Sequence, residues 1–257
     1  MLKEKVINKS LHFLSKNISA FSPFFRGRLT LNGLNKNAGK FDSCDQLVNS
    51  HFTKYSDVNH VCKSTLMAAL NGLGEKSSII VETGSSAWGT NSSLLFDSYV
   101  NSFGGKFETV DIRVDPSLNL YRHCCNRTFL SCDDSVSFLK KWSAVNVNVK
   151  IDLLYLDSWD LDLYNSVPSA LHGLAEFLAV SNNLQSGSLL LIDDTPHDLV
   201  YFKKVLGEDR DNELKAVEDY YNHNGFYPGK GTLVKELLKS TGRGEELMHE
   251  YQLLWRF

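Results

Sequence analysis

The stretch Ser78-Ile-Ile-Val-Glu-Thr-Gly-Ser-Ser-Ala-Trp-Gly-Thr-Asn-Ser92 decides the fold of this 257-residue chain. A short apolar run leads into a turn with two glycines, and a helical pattern extends from Asn91 to Phe103. Glycines let the backbone turn sharply and approach a ligand closely. Free N–H groups at the start of the helix suit a carboxylate or a phosphate. The stretch predicts a buried strand, a ligand-binding turn and a helix, although a turn without a ligand would have a similar pattern.

The same alternation of strands and helices continues on both sides of this stretch. Further strand-like runs are Lys106–Asp111, Arg127–Ser131, Ile151–Asp157, Ser188–Asp193 and the terminal Tyr251–Phe257. Helical patterns are Val58–Leu73, Ser135–Trp142, Pro168–Asn182, Leu199–Leu206 and Thr232–Leu238. Strands that alternate with helices need crossover connections, and near-continuous apolar strands are typical of a sheet covered on both faces. The chain is therefore predicted to be an α/β protein with a doubly wound, mainly parallel sheet.

The first 57 residues do not follow this alternation, so we divide the chain into an extension (1–57) and a main domain (58–257). Apolar residues between Val6 and Phe21 recur at helical spacing and predict an amphipathic helix with a basic polar face. Residues 26–42 are rich in Gly, Asn and Lys and predict a loop. The helix could pack on the domain, join two subunits in a homo-oligomer, cover a substrate, touch a membrane or act in targeting.

The amino-acid composition argues against several classes of protein. The net charge of −3 gives no general basic face, so nucleic acid is not an expected partner. No apolar run is long enough to span a bilayer, and the N-terminus lacks the pattern of a signal peptide. Five cysteines without a CxxC pair indicate free thiols in a reducing compartment, so we expect a cytoplasmic protein.

Carboxylates follow nearly every predicted strand, at the edge where ligands bind in open α/β sheets. They are Glu82, Asp111, Asp133, Asp134, Asp157, Asp160, Asp193 and Asp194. Because unpaired carboxylates are costly to bury, their convergence favours a cationic or hydroxyl-rich ligand, or a metal. The glycine turn is not the GxGxxG of dinucleotide enzymes, and no GK[ST] follows it as in a Walker loop.

Asp157, Asp193 and Asp194 end two strands that could be neighbours, and three oxygen ligands suit Mg²⁺ or Ca²⁺ better than zinc. These residues could instead only cap the helices that follow. His197, in Asp194-Thr-Pro-His-Asp198, is a candidate general base or a solvent-exposed loop histidine.

Val81-Glu-Thr-Gly-Ser-Ser-Ala-Trp-Gly-Thr-Asn-Ser92 resembles motif I of class I S-adenosylmethionine-dependent methyltransferases. It is most similar to small-molecule O-methyltransferases that need a divalent metal, including the macrocin and mycinamicin type, which read roughly ETGxxxGGS at this turn. The resemblance spans Ser78 to Thr195 and implies a Rossmann-like methyltransferase fold. Gly229-Lys-Gly-Thr-Leu-Val234 and the Tyr251-Gln252 pair are more loosely similar.

The resemblance assigns roles by position in these motifs. It implies that S-adenosylmethionine is bound by Glu82, Gly84, Ser85, Gly89, Asp111, Asp134 and Ser135, with Asp111 at the ribose and the last two bordering the adenine. It implies that Mg²⁺ is bound by Asp157, Asp193 and Asp194. One departure is Asp157-Ser-Trp-Asp160, where such enzymes commonly have Asp-Gly-Asp or Asp-Gly-Ser-His. Asp160 therefore occupies a position that often carries a catalytic histidine, and joins His197 as a candidate base.

The expected function is Mg²⁺-assisted methylation of a hydroxyl on a small molecule or sugar. Two other classes stay open at this point. A nicotinamide-dependent oxidoreductase would share the fold and Asp111, and a non-catalytic binding protein could use the same scaffold.

Overall fold

One mixed sheet of eight strands runs through the part of the chain that our computed structural model describes, residues 22–35, 39–86, 89–207 and 209–257. The strands are β1 (Leu29–Asn32), β2 (Ser78–Thr83), β3 (Gly105–Asp111), β4 (Thr128–Cys132), β5 (Leu153–Leu156), β6 (Leu189–Ile192), β7 (Glu245–His249) and β8 (Leu253–Arg256). Their spatial order is β1-β4-β3-β2-β5-β6-β8-β7.

The five central strands, β4-β3-β2-β5-β6, are parallel, as their apolar sequences predicted. The chain runs outward from β2 through β3 to β4 and then returns to place β5 on the other side of β2. The strand order thus reverses between β2 and β5, and a crevice opens there at the carboxyl ends of the strands. This switch point is where a ligand is expected.

The two edges of the sheet are antiparallel. At one edge β1 pairs with β4, and at the other β8 pairs with β6 and turns back into β7. The prediction of a loop over residues 26–42 was therefore wrong at Leu29–Asn32, where only Leu29 and Leu31 alternate with polar residues. Four residues are too few for an alternating pattern to stand out among Gly, Asn and Lys.

Helices cover both faces of the sheet. They are α1 (Ser22–Phe25), α2 (Cys44–Tyr55), α3 (Lys63–Leu73), α4 (Ser92–Phe103), α5 (Asp115–Leu120), α6 (Ser135–Val145), α7 (Val167–Val180), α8 (Leu199–Leu206), α9 (Asp211–Asn224) and α10 (Thr232–Thr241). α2, α3 and α4 pack on one face, and α6, α7 and α10 pack on the other. In β5, Tyr155 points into the first layer while Leu154 and Leu156 point into the second, so the strand is buried on both sides.

Part of the predicted extension belongs to this body. Leu47, Val48 and Phe52 of α2 are fully buried in the first layer, and β1 extends the sheet. The amphipathic segment between Val6 and Phe21 lies outside the described residues, so its helix and its role in a homo-oligomer stay predictions. Among the helices that the structure describes, none is long and apolar enough to cross a membrane.

Candidate active site

The turn after β2 needs glycine because another strand lies directly against it. Gly84 has φ +82°, and a Cβ built on it would stand 2.2 Å from the backbone oxygen of Asp157, just beyond β5. Its N–H donates to the carbonyl of Val110 on β3, at 2.8 Å. The turn is therefore held between the two neighbours of β2. Beside it, the hydroxyls of Ser85 and Thr109 lie 2.8 Å apart.

Glu82 is fully buried behind this turn rather than facing a ligand. Its carboxylate accepts hydrogen bonds from the hydroxyls of Ser92 (2.5 Å), Ser93 (2.5 Å) and Thr109 (2.6 Å). Burial raises the pKa of Glu82 from 4.5 to about 7, against the opposing effect of these hydrogen bonds. Glu82 joins β2 to β3 and to the start of α4, so the geometry gives it a positioning role in the turn. It does not support the predicted direct contact with the cofactor.

A cavity of about 740 Å³ opens at the carboxyl ends of β2, β3, β5 and β6. It brings together seven of the residues proposed from the sequence, which are Gly84, Ser85, Asp111, Asp157, Asp160, Asp193 and Asp194. Its wall also contains His60, Cys62 and Arg113, which the sequence did not identify as site residues, and Tyr251, which the sequence marked only as part of a loosely similar pair. Strand-end acids from three different strands, β3, β5 and β6, thus meet in one crevice, as the topology requires.

Asp111 ends β3 at this cavity. Its Oδ1 accepts hydrogen bonds from the backbone N–H of Arg113 (2.8 Å) and from the Arg113 side-chain Nε (3.2 Å). The carboxylate is nearly buried and is held in one orientation by these two donors. A fixed acceptor at this position can bind the hydroxyls of a ribose.

The carboxylates of Asp157, Asp193 and Asp194 form one cluster, with ligand oxygens all within 4.8 Å of one another. The prediction that these strands are neighbours is confirmed, because β5 pairs with β6. Burial, and then repulsion from Asp193, raises the pKa of Asp157 well above its usual range. The pKa of Asp193 is raised by burial and by Asp194. Ionisation of all three carboxylates together is therefore unfavourable unless a further positive charge is bound to the cluster.

Three nitrogen or oxygen donors orient these carboxylates, beside a longer contact of 3.7 Å from Sγ of Cys62 to Oδ1 of Asp193. The hydroxyl of Tyr251 donates to Oδ1 of Asp194 at 2.5 Å, and Nε2 of Gln252 donates to Oδ1 of Asp193 at 2.7 Å. The ammonium of Lys230 lies 2.6 Å from Oδ1 of Asp157 and 3.0 Å from Oδ2 of Asp194.

Lys230 and Tyr251 belong to the two segments that the sequence had marked only as loosely similar. Nothing in the sequence showed where their polar groups would point, because both arrive from distant parts of the chain. Only the fold brings them to the cluster.

The donor set fits a hard divalent cation. Oxygen ligands are those that Mg²⁺ prefers, and three carboxylates with one lysine leave a formal charge of −2. The carboxylates line the cavity, so an ion could reach them from it. At the cofactor end, the glycine turn and Asp111 also fit a ligand with a carboxylate and a ribose.

The two candidate bases lie in different places. Asp160 is exposed and lines the cavity. The structure does not bring His197 to the site. Its ring packs edge-on against His249 with a centroid distance of 5.0 Å, and it lies outside the cavity wall. The sequence could not show which of the two lies in the cavity, because both residues closely follow the end of a strand.

The remaining predicted cofactor residues, Asp134, Ser135 and Gly89, are not among the residues that line the cavity. Asp134 caps α6 by accepting from the N–H of Ser137 at 2.8 Å. The hydroxyl of Ser135 lies 2.9 Å from Nε2 of His172. Gly89 has φ +79° and packs against Nε2 of His60. Their predicted contacts with the cofactor stay predictions.

Comparison with known structures identifies this fold. MycE, a methyltransferase from the mycinamycin biosynthetic pathway whose structure holds Mg and S-adenosylhomocysteine, is 14% identical, with a TM-score of 0.52 over 85% of this chain and 54% of MycE. The chain thus spans about half the length of MycE. CalS11, a TDP-rhamnose 3'-O-methyltransferase of calicheamicin biosynthesis, is 14% identical, with a TM-score of 0.45 over 83% of this chain and 92% of CalS11. An O-methyltransferase from Bacillus cereus in complex with S-adenosylhomocysteine is 11% identical, with a TM-score of 0.45 over 86% and 94% of the two chains.

No protein-family model and no curated protein sequence matches the chain. The chain has the Rossmann-like fold of class I S-adenosylmethionine-dependent methyltransferases. Among the structures named above, MycE alone reaches a TM-score of 0.5. At 14% identity this similarity shows the fold alone.

Proposed function

We propose that the chain is an S-adenosylmethionine-dependent methyltransferase that methylates a hydroxyl oxygen on a small molecule or sugar with the assistance of Mg²⁺. One observation carries the proposal. The glycine turn after β2, the acid at the end of β3 and the three carboxylates after β5 and β6 all line a single cavity. A cofactor bound at the turn and an acceptor bound at the carboxylates would then be adjacent, as a group transfer requires.

At the cofactor end, Gly84 and Ser85 would receive the methionine part and Asp111 the ribose hydroxyls. The glycine leaves room for close approach, and Arg113 fixes the orientation of the Asp111 carboxylate. S-adenosylmethionine supplies a methyl group on a sulfonium, which is already a good electrophile. The protein's contribution is then to align an acceptor oxygen with that methyl group and to handle its proton.

At the acceptor end, Asp157, Asp193 and Asp194 would hold the metal. A bound Mg²⁺ would chelate acceptor hydroxyls and lower their pKa. Asp160 lies in the same cavity wall and would accept the proton. MycE, which has the same fold, was crystallised with Mg. That precedent supports the metal assignment for this chain.

The nicotinamide alternative is less well supported by the topology. A dinucleotide fold is built from two βαβαβ halves in a mostly parallel sheet, whereas here the strand beyond β6 is the antiparallel β8. The turn also lacks the GxGxxG spacing. A non-catalytic protein with the same fold would not be expected to bind S-adenosylhomocysteine, so a binding measurement distinguishes it from a methyltransferase.

Isothermal titration of the whole chain with S-adenosylhomocysteine, and separately with NAD⁺, tests the cofactor assignment. We expect micromolar or tighter binding of S-adenosylhomocysteine and none of NAD⁺. Asp111→Ala should weaken that binding at least tenfold, whereas Asp219→Ala, at an exposed position on α9, should leave it unchanged. Binding of NAD⁺ alone would overturn the proposal in favour of an oxidoreductase, and binding of neither would favour the non-catalytic class.

The five cysteines are all buried and free. They support a reducing compartment, and we propose the cytoplasm as the place of action.

A further inference from the structure

A buried ammonium lies at the back of the carboxylate cluster. Lys230 is only 3% exposed and bridges Asp157 and Asp194, yet it is absent from the wall of the large cavity. It lines instead a separate small pocket with His172, Glu176 and Ser158, the last of which lines both. Lys230 therefore approaches the carboxylates from the protein interior, while a ligand would approach them from the cavity.

The backbone around Lys230 is closely packed on both sides. Its N–H donates to the carbonyl of Asp194 at 3.0 Å, and its own carbonyl oxygen would lie 2.6 Å from a Cβ at Gly173 of α7. A Cβ at Gly231 would stand 2.8 Å from the hydroxyl of Thr195. This segment passes between α7 and the end of β6. It fits there because Gly229 and Gly231 beside the lysine, and Gly173 on α7, have no side chains. The lysine is thus delivered to one fixed place.

Charge explains what such a lysine is needed for. Three carboxylates within 4.8 Å of one another repel, and removing them from water adds a further cost. One ammonium in direct contact with two of them offsets part of both costs.

We propose that Lys230 is a positioning residue that acts as an internal counter-ion. It keeps the three carboxylates assembled before a divalent cation enters, and with all three ionised the cluster has a formal charge of −2 for that cation. The statement about the entering cation rests on the proposed metal site. The statement that Lys230 keeps the carboxylates assembled concerns the folded protein without any ligand.

The test compares Lys230→Met with Lys235→Met by thermal unfolding in EDTA and in MgCl₂. Lys235 is a matched control because it lies on α10, is mostly buried and pairs with Glu246 at 2.9 Å, away from the cluster. Breaking a buried ion pair in a chain of this size should lower the unfolding midpoint of Lys230→Met by about 10 °C in EDTA. The unfolding midpoint of the control, Lys235→Met, should fall by clearly less.

Magnesium should restore much of the lost unfolding midpoint of Lys230→Met, since a divalent cation supplies the missing positive charge. It should raise the midpoints of wild type and Lys235→Met by a smaller amount. Equal losses in the two variants in EDTA, or an equal magnesium shift in all three proteins, would overturn the proposal. No magnesium shift in any of them would overturn the metal half of the inference and the metal assignment together.

A double variant keeps the test decisive if Lys230→Met does not fold. Lys230→Met combined with Asp194→Asn removes one charge of each sign, so it should be more stable than Lys230→Met alone. A double variant that is as unstable as the single variant would show that packing, not charge, is what Lys230 contributes. Titration of wild type with S-adenosylhomocysteine is independent of these stability measurements, so failure of the cofactor assignment is recognised separately.

Discussion

Gly84 lies directly against the backbone carbonyl of Asp157, so that a Cβ at position 84 would stand 2.2 Å from that oxygen. The first residue follows β2 and begins the predicted cofactor turn, and the second is a predicted metal ligand directly after the neighbouring strand β5. The two halves of the site therefore meet at this contact. A substitution at Gly84 is therefore expected to displace Asp157 as well.

Gly84→Ala should be far more damaging than an alanine at another glycine with the same φ. Gly207 also has φ +82°, but nothing lies within 4 Å of a Cβ there. Gly207→Ala should cost about 1–3 kcal/mol from the backbone conformation alone. Gly84→Ala adds a collision with backbone and should cost at least about 4 kcal/mol and abolish binding of S-adenosylhomocysteine. Urea unfolding and titration measure both effects, and equal costs at the two positions would contradict the close contact.

Glu82 should make the protein less stable as the pH rises from about 5 to about 8. Its pKa is about 7 in the folded protein and 4.5 ordinarily, so the folded state retains a proton that the unfolded chain loses. The stabilisation is full below about pH 4.5 and is lost as the pH passes 7, a change of roughly 3 kcal/mol. Glu82→Gln cannot ionise and should lack this component.

Urea unfolding of wild type and Glu82→Gln at pH 5 and pH 8 measures the difference. Glu236→Gln, at an exposed position on α10, should follow the wild-type dependence. Parallel curves for wild type and Glu82→Gln would show that Glu82 does not titrate in this range.

Asp193→Asn should separate the metal from the cofactor. Asp193 is buried, and its Oδ1 accepts from Gln252, so an asparagine keeps its shape while removing a charged ligand. We expect loss of the magnesium-induced stabilisation, at least 100-fold lower methyl transfer, and unchanged binding of S-adenosylhomocysteine. Full methyl transfer by wild type in EDTA would refute the role of the metal.

Asp160 and His197 are distinguished by where they lie. Asp160→Asn should reduce methyl transfer about 100-fold or more if its carboxylate is the general base, with little effect on cofactor binding. His197→Gln should leave the rate nearly unchanged because its ring lies outside the cavity wall. Transfer of labelled methyl from S-adenosylmethionine to a panel of catechols and glycosides provides the assay. The reverse pattern would restore His197 as the base.

The parallel core of the sheet was predictable because its strands carry their own signal. Leu153–Leu156 and Leu189–Ile192 are uninterrupted apolar runs, and burial on both faces explains them without reference to other parts of the chain. α9 was missed because only Val217 of its fourteen residues is buried, so it has almost no apolar stripe.

The sequence by itself determined which strand ends would carry acids. Asp111, Asp157, Asp193 and Asp194 each follow an apolar run, and parallel strands bring their carboxyl ends to one edge. Their convergence was therefore foreseeable from local pattern and topology alone.

Only the tertiary structure decided which neighbouring groups act on those acids. It turned Glu82 away from the cavity into contact with three hydroxyls, left His197 outside the cavity wall, and brought Lys230 to Asp157 from 73 residues away along the chain. Such contacts depend on side-chain direction and on the packing of distant segments, and neither leaves a periodic trace in the sequence.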